Sequence, residues 1–249
     1  MAVTIKSPRE IELMREAGRI LAKTHEELAK NLRPGMSTWD IDHMGEEIIR
    51  SYGCIPSFKN YNGYPASICV SVNDEVVHGI PHKEHFLDEG DIVSLDAGVI
   101  YKGYHSDAAR TYGIGEIDDD AKKLIEVTRQ SFFEGIKFAK AGNHLNDISV
   151  AIQKYAESFG FGVVRDLVGH GIGSHLHEDP EIPNFARKRK GILLQPGMTL
   201  AIEPMITEGS YEVVWLDDDW TVMTEDGGWA AHYENTILIT EGEPEILSL

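Results

Sequence analysis

Two acidic residues in one predicted β-hairpin constrain this chain more than any other feature. Residues 91–97 are mostly apolar and β-branched and carry Asp96, whereas residues 107–112 begin with Asp107 and return after a turn at 102–103. A carboxylate within an apolar strand is destabilising by several kcal/mol if it stays charged and has no partner. We therefore expect both acids to have partners inside the fold.

Three further residues in strand-like apolar runs qualify as partners. They are His170 in the string GHGIG, Glu203 in LAIEPM and Glu234 in AAHYENTI. One such residue alone is more often a core or salt-bridge residue than a ligand. Four acids grouped without cations, however, would repel one another and raise their pKa values. Two divalent cations per chain would remove this repulsion, and oxygen and imidazole ligands suit Mn, Fe, Co or Zn without discriminating among them.

Composition indicates one globular domain and excludes several classes of partner. The chain has 249 residues, of which 42% are hydrophobic, and a net charge of −18. This charge argues against direct nucleic-acid binding and against attraction to anionic membranes, and the basic run at 187–190 is interpreted as a solvated loop. No apolar run is long enough to span a membrane. Two cysteines without disulfide spacing, and no apolar signal core, predict a cytoplasmic location.

The local signals predict four helices and a strand-rich second half. Ser7 and Pro8 form a helix start, and Asp118–Asp120 complement the positive end of a later helix dipole rather than forming a site. We expect helices over about 8–33, from 37 or 38 to 53, after 118–120 and over 147–158, with strands within 66–78 and mostly strands and loops from 163 onwards.

Identical or similar residues recur in the two halves of the chain at one fixed offset of 107 residues, as in an internal sequence repeat. The pairs are Gly35 with Gly142, Asp40 with Asp147, Ile41 with Ile148, Ser51 with Ser158, Gly53 with Gly160, Gly90 with Gly197, and Asp96 with Glu203. Chance matching of common residues is the alternative, but an unbroken offset that also aligns two acids favours duplication. We expect a single catalytic domain, 1–249, with halves of about 8–110 and 118–240 around a pseudo-twofold axis.

Other hydrolase and cofactor motifs do not fit the sequence. The zinc motif HExxH is absent, because residues 177–178 are followed by DPE. No GxSxG nucleophile elbow occurs, which argues against a serine hydrolase. The string GIGEID at 113–118 does not match the dinucleotide-binding fingerprint.

The ordered acids and histidine resemble the ligand set of the type I methionine aminopeptidases. The similarity runs from about residue 4 to residue 247 and includes HGIP at 78–81, DAG at 96–98, GHGIG at 169–173 and EP at 203–204. The resemblance implies an α/β (α+β) pita-bread fold, in which helices flank a central antiparallel sheet shared by two pseudo-symmetric halves. The short spacing from His170 to Glu203 resembles type I rather than type II, and the absence of a long leading extension resembles the short bacterial form.

Carried over to this sequence, the resemblance implies a role for each of the five ligands. Asp96 would bind one metal ion, Asp107 and Glu234 would bridge both ions, and His170 and Glu203 would bind the other. Aminopeptidases are a recognised class of two-metal hydrolases, in which the ions activate water for attack on the substrate carbonyl.

The resemblance also implies catalytic and substrate-binding residues. Glu203 would shuttle a proton, His177 would donate to the developing oxyanion, and His78 would hold the scissile amide. The methionine pocket would be formed by Phe58, Tyr61, Tyr64, Cys69 and Trp220. Without the resemblance, these aromatic residues would be interpreted as ordinary core. Phe58 replaces a cysteine of several bacterial relatives and Leu176 replaces a frequent aromatic, which leaves the pocket's shape open.

The expected function is removal of initiator methionine from nascent proteins whose second residue is small. The expected partners are nascent polypeptide N-termini, with a transient ribosome contact and a monomeric enzyme. One alternative is a proline-directed peptidase of the same fold, although that group usually carries an extra N-terminal domain for which the chain has no room. The other is a non-catalytic peptide-binding module, which should have lost ligands.

Overall fold

Two consecutive pairs of helices frame the protein, whose computed structural model describes residues 3–249. The helices are α1 (Pro8–Asn31), α2 (Thr38–Ser51), α3 (Asp119–Ile136) and α4 (Leu145–Glu157). Ser7 caps α1 in a reciprocal capping box with Glu10, and Pro8 occupies the first turn, as the sequence predicted. Helix α4 begins two residues earlier than expected, because the backbone N–H of its N-cap residue, His144, donates to the carboxylate of Asp147.

The strands are short except for one long hairpin. They are β1 (Ile55–Pro56), β2 (Ile68–Val72), β3 (Glu75–Val77), β4 (Ile92–Tyr101), β5 (Tyr104–Gly113), β6 (Gly162–Val163), β7 (Gly169–Gly171), β8 (Glu178–Ile182), β9 (Thr199–Ile202), β10 (Met205–Thr207), β11 (Val213–Trp215), β12 (Val222–Thr224), β13 (Ala230–His232), β14 (Asn235–Leu238) and β15 (Glu245–Ile246). A short 3₁₀ turn covers Tyr61–Gly63. This confirms a strand-rich second half.

All strand pairs among the described residues are antiparallel, and they divide into four sheets. The first half contributes the order β1-β4-β2, with β5 on β4, and the second half contributes β15-β14-β9-β7-β8. Two three-stranded sheets, β13-β10-β6 and β11-β12-β3, complete the set. The predicted hairpin is confirmed as β4 and β5, with longer arms than expected. Its turn places Lys102 and Gly103 at positive φ, which suits a two-residue hairpin turn.

The two halves meet where β5 runs beside the residues that precede and form β14. Ala109 and Glu234 exchange backbone hydrogen bonds, with N···O distances of 3.0 and 3.4 Å. The Thr236 hydroxyl accepts from the Asp107 N–H at 2.8 Å and donates to the Asp107 carbonyl oxygen at 2.9 Å. These contacts bring acids from both halves together along the line where β5 meets residues 234–238, which is called the seam below.

Each half has its own apolar core behind this seam. In the first half, the inner faces of α1 and α2 pack on β2 and β4, and Leu21, Ile41, Ile68 and Leu95 are fully buried. In the second half, α3 and α4 pack together, and their buried residues Phe132 and Ile148 share one apolar cluster with Ile237 of β14. No helix within residues 3–249 combines the length and apolar character needed to cross a membrane.

Candidate metal centre and substrate pocket

One cavity of about 220 Å³ brings together every residue that the sequence predicted for the site. It opens at the seam between the halves and is lined by acids, histidines and aromatic side chains. The predicted residues in its wall are Phe58, Tyr61, Tyr64, Cys69, His78, Asp96, Asp107, His170, His177, Glu203, Trp220 and Glu234. Leu176, whose influence on the pocket was left open, also lines the cavity.

The hairpin places the side chains of its two acids on the same face. In the register of β4 and β5, Asp107 lies opposite Gly98, two residues beyond Asp96, so both side chains project from one face. A glycine is needed at position 98, because a Cβ there would lie 2.6 Å from the Cβ of Ser57 and 2.9 Å from the Phe58 ring. The closely packed hairpin therefore forms one wall of the site.

The second half supplies the other three ligands from neighbouring strands. His170 lies on β7, Glu203 follows β9, and Glu234 precedes β14, while β9 pairs with both β7 and β14. A Cβ at Gly169 or Gly171 would overlap the carbonyl oxygen of a neighbouring strand, so the glycines beside His170 permit close strand packing. The glycines beside His170 therefore keep the strands that carry the three ligands close together.

Three buried side chains form the tightest group of ligand atoms. One ligand atom each from Asp107, His170 and Glu234 lies within 4.8 Å of the others. His170 Nε2 is 3.8 Å from Asp107 Oδ2 and 3.7 Å from Glu203 Oε1. The buried oxygens Asp96 Oδ1, Asp107 Oδ1 and Glu234 Oε1 have no hydrogen-bond partner within the described part of the chain. Buried carboxylate oxygens without donors require a cation or a proton.

The raised pKa values of the acids also indicate that the cluster needs cations or protons. Burial raises the pKa of Asp96 to about 7. Burial, and then the neighbouring negative charges of Asp96 and Glu203, raise the pKa of Asp107 well above its ordinary value. Burial is also the main cause of the raised pKa of Glu203 and of Glu234. Divalent cations would neutralise this cluster, so the residues present fit a metal centre.

His170 is prepared to act as a neutral ligand. Burial lowers the pKa of its imidazole to about 3. Its Nδ1 lies 2.8 Å from the carbonyl oxygen of Gly171, which assigns the proton to Nδ1 and leaves the Nε2 lone pair facing the acids.

The two remaining predicted histidines stand at the same cavity. His78 has a backbone φ of 60°, a strained conformation for a residue with a side chain, and burial lowers its imidazole pKa to about 4. His177 is at the exposed mouth, where Tyr61 Oη is 2.7 Å from its Nδ1 and the His170 ring centroid is 4.2 Å from its own. Desolvation also lowers the pKa of His177. Both rings are therefore neutral near pH 7, and each offers one N–H.

Aromatic side chains form a cup beside the acids. The rings of Tyr64 and Trp220 meet edge to face with centroids 5.1 Å apart, and the Trp220 ring also approaches His78 at 6.3 Å. The Tyr64 hydroxyl donates to the Gly79 carbonyl oxygen at 2.9 Å, which satisfies its polar end. Phe58 and Cys69 are buried in the same cluster. The cup can hold an unbranched apolar side chain.

His232 belongs beside this site but was missed from the sequence. Its Nε2 lies 3.9 Å from Glu234 Oε2 and 4.0 Å from Glu203 Oε2, and within residues 3–249 both ring nitrogens lack a hydrogen-bond partner. Burial lowers its imidazole pKa to about 3, so the ring is neutral. The available signal was its position two residues before Glu234 in a strand-like run, since residues two apart share a face of a strand.

Comparison with known proteins gives consistent results over the whole chain. The profile of metallopeptidase family M24 matches residues 12–241. The methionine aminopeptidase of Clostridium acetobutylicum is 56% identical over 247 residues, which cover 99% of both chains. The crystal structure of methionine aminopeptidase from Thermotoga maritima superposes with a TM-score of 0.97 at 49% identity, again covering 99% of both chains.

A more distant structure shares the fold but differs more in sequence and in length. The Xaa-Pro dipeptidase of Bacillus anthracis superposes with a TM-score of 0.80 at 27% identity. The match covers 98% of this chain but only 61% of the dipeptidase. These two groups of structures share the pita-bread fold, which confirms the fold predicted from the sequence.

Proposed function

The chain belongs to metallopeptidase family M24 and, within it, to the methionine aminopeptidases, and from this membership we propose that it removes initiator methionine from new proteins whose second residue is small. It is a metal-dependent hydrolase that acts on N-terminal methionine. The observation that carries the finer proposal is the single cavity in which an acid and histidine cluster adjoins an aromatic cup.

The proposed metal centre holds two divalent ions. Asp96 would bind one ion, His170 and Glu203 the other, and Asp107 and Glu234 both. The support is the set of buried carboxylate oxygens that lack donors within residues 3–249 and the raised pKa values of four acids, which two cations would relieve. Bound divalent ions in such a site activate water and stabilise negative charge that develops on the substrate carbonyl.

The protein's own side chains would orient the substrate and move protons. Glu203 borders the cavity with a raised carboxyl pKa, which suits a group that accepts a proton from the attacking water and returns it to the leaving amine. If the Tyr61 hydroxyl donates to His177 Nδ1, the proton of His177 lies on Nε2, from which it can donate to the carbonyl oxygen. His78, which lines the same cavity, would hold the scissile amide.

The aromatic cup would select the first residue of the substrate. Burying a methionine side chain against Phe58, Tyr64 and Trp220 contributes about 1.5–3 kcal/mol. Sulfur against the edges of aromatic rings adds a favourable contact. A charged first residue would lose its hydration in the same cup without gaining a counter-charge, which strongly disfavours its binding.

We also propose a cellular setting for the enzyme. Its substrates would be nascent polypeptide N-termini in the cytoplasm, met during a transient ribosome contact. The enzyme would act as a monomer, with residues 1–249 forming one catalytic domain from two related halves. A net charge of −18 supports the absence of direct nucleic-acid binding.

A peptide panel with metal titration tests this proposal. Metal-stripped protein is titrated with Mn²⁺ by calorimetry, and kcat/KM is measured for Met-Ala-Ser, Met-Lys-Ser, Lys-Ala-Ser and Ala-Pro-Ser peptides. We expect two bound ions per chain and cleavage of Met-Ala-Ser alone. Comparable values for Met-Ala-Ser and Lys-Ala-Ser would remove the methionine cup, and preference for Ala-Pro-Ser would favour the proline-directed alternative. Full activity after complete metal removal would refute the metal mechanism.

A further inference from the structure

The segment before α1 is joined to the loop that carries His177 by a buried ion pair. Lys6 Nζ lies 2.7 Å from Glu178 Oε2, and the two side chains are only 5% and 7% exposed. The Thr4 hydroxyl donates to the same carboxylate oxygen at 2.6 Å. The pair links residues 172 positions apart, and Glu178 directly follows His177. Residues 173–178 are called the His177 loop below.

Lys6 also packs against the beginning of this loop. A Cβ at Gly173 would overlap the Cε of Lys6, so the lysine stem occupies the space that a side chain would need. The backbone N–H of Lys6 donates to the carbonyl oxygen of Gly197 at 2.8 Å, which fixes the lysine to the second half. The lysine therefore contacts the first residue of the loop with its stem and the last with its charge.

Further contacts restrict the His177 loop between these two points. The backbone N–H of His105 donates to the Gly173 carbonyl oxygen at 2.8 Å. Glu178 Oε1 accepts from the backbone N–H of His175 at 3.3 Å. On the cavity side, Tyr61 Oη is 2.7 Å from His177 Nδ1. Glu178 thus anchors the loop through its carboxylate, while the imidazole of the preceding residue faces the cavity.

A buried ion pair needs a reason to be present. Burial alone would raise the pKa of Glu178, but hydrogen bonds from Lys6 and Thr4 outweigh it and hold the pKa below its ordinary value. Such pairs contribute little net stability compared with apolar side chains of the same size, whereas in some proteins they select one conformation. A bent loop that has to place an imidazole accurately is where fixed geometry matters most.

We propose that Lys6 and Glu178 are positioning residues for the peptidase reaction. Their ion pair holds the His177 loop so that the ring of His177 meets the scissile carbonyl oxygen of the substrate. This inference rests on the proposed oxyanion role of His177. It makes the segment before the first helix part of the catalytic apparatus, although the segment supplies no group that touches substrate.

A double-mutant cycle with His177 tests the proposal. Lys6→Met and Glu178→Gln are made in the natural chain and in a His177→Ala background, and kcat, KM and bound metal are measured with Met-Ala-Ser. We expect each change to lower kcat by about 10- to 100-fold, with KM and metal content within about twofold of the natural chain. In the His177→Ala background, the same changes should alter kcat by less than about twofold, because the group being positioned is gone.

Two further variants separate positioning from loss of folding. Arg15→Met breaks another long-range ion pair, between α1 and Glu245 on β15 at 2.6 Å, and should leave kcat unchanged. Thr4→Val removes the hydroxyl that donates to Glu178 and accepts from Lys6 while leaving the ion pair itself, and it should lower kcat by a few-fold in the natural chain alone. Circular dichroism melting of every variant sets an assay temperature at which all are folded.

The outcomes are distinct. Equal losses of kcat in both backgrounds would show a general structural effect and overturn the positioning role. A normal loss for His177→Ala, with unchanged kcat for Lys6→Met and Glu178→Gln, would overturn the positioning role and leave the proposed function intact. Unchanged kcat for His177→Ala itself would overturn both the oxyanion role and this inference.

Discussion

The two halves of the chain make the same local connections but contribute different chemistry. In the first half an isolated β-bridge joins Ser37 to Phe86, and in the second another joins His144 to Leu193. Each partner in the second half lies 107 residues after its counterpart in the first. The 107-residue offset found in the sequence therefore also relates backbone pairs in the two halves, which supports the proposed internal repeat.

Turns before the second helix of each pair match in the same way. The Gly35 N–H donates to the Leu87 carbonyl oxygen at 2.7 Å, and the Gly142 N–H donates to the Leu194 carbonyl oxygen at 3.0 Å. Both glycines have positive φ, at 83° and 89°, which a residue with a side chain rarely adopts. The shared glycines are therefore explained by one turn geometry used twice.

The chemistry departs from this symmetry. The offset that aligns Asp96 with Glu203 pairs His78 with Phe185 and Asp107 with Val214, whose side chain is exposed. A repeated framework can thus bring one acid from each half to a shared seam, whereas the histidines and the two acids proposed to bridge the ions arise separately in one half or the other. The following predictions test which parts of the site depend on the symmetry.

The largest effect is expected at the seam, where one acid from each half would serve both ions. Asp107→Asn or Glu234→Gln should lower kcat/KM by at least about 10⁴-fold, since loss of a shared ligand removes several kcal/mol of charge stabilisation. Calorimetric titration should show weakened binding of both ions. An activity within tenfold of the natural chain in either variant would contradict the bridging role.

The aligned acids should behave differently despite their equivalent positions. Glu203→Gln should lower kcat by about 10²–10⁴-fold because it removes a proton acceptor as well as a ligand. Asp96→Asn removes a ligand alone, so we expect excess Mn²⁺ to restore much of its activity. Measuring kcat against metal concentration separates the two variants, and equal recovery of both would make the acids functionally equivalent.

The two histidines should lose rate without losing metal. His177→Ala and His78→Ala should each lower kcat by about 10²–10³-fold, the usual effect of removing one hydrogen-bond donor from a transition state. Metal content, measured by mass spectrometry, should stay at the natural value. His175→Ala, in the same loop with an exposed side chain, is the control and should retain activity. Loss of metal from His177→Ala would instead make that residue a ligand.

Short-range signals were sufficient to predict much of the fold. The hairpin β4–β5 followed from an apolar strand, a turn and a returning strand, and the start of α1 followed from its cap and its proline. The four candidate acids stood out because carboxylates in apolar strands need partners, and His170 lies in a similar apolar run. These predictions depend on residues within one element, where the sequence pattern and the local geometry are directly related.

Contacts between distant segments could not be predicted in the same way. The apposition of β5 and the residues around β14 depends on how two separately packed cores meet. His232 resembled any core histidine until the fold placed it beside Glu203 and Glu234. The ion pair of Lys6 and Glu178 joins segments with no common local pattern, so only the folded structure reveals it.

The smallest expected effect is a change in pH-dependent stability at two positions related by the 107-residue offset. On α1 this position holds a buried imidazole, and on α3 it holds a phenyl ring. His25 and Phe132 lie 107 residues apart, and both are buried. His25 Nε2 is 2.9 Å from the Ala108 carbonyl oxygen, while its Nδ1 has no partner among residues 3–249. Burial, and then the charge of Arg110, lower the pKa of His25 to about 3. The imidazole therefore stays neutral in the folded chain under conditions that protonate it in the unfolded chain.

This difference should appear as a pH dependence of stability. Because the pKa of His25 is lower in the folded chain, protonation below the unfolded-chain pKa of about 6.5 favours the unfolded chain. The contribution of His25 to the stability of the folded chain is therefore fully present above about pH 6.5 and is lost as the pH falls toward about 3. Between pH 7 and pH 5, His25 should therefore reduce the free energy of unfolding by about 2 kcal/mol. We expect His25→Phe to remove this increment and Phe132→His to add a similar one, measured by urea unfolding of metal-loaded protein at both pH values. Comparing the change between pH values, rather than absolute stability, cancels repacking effects of the new side chain. An unchanged difference in His25→Phe would mean that His25 does not remain neutral in the folded protein.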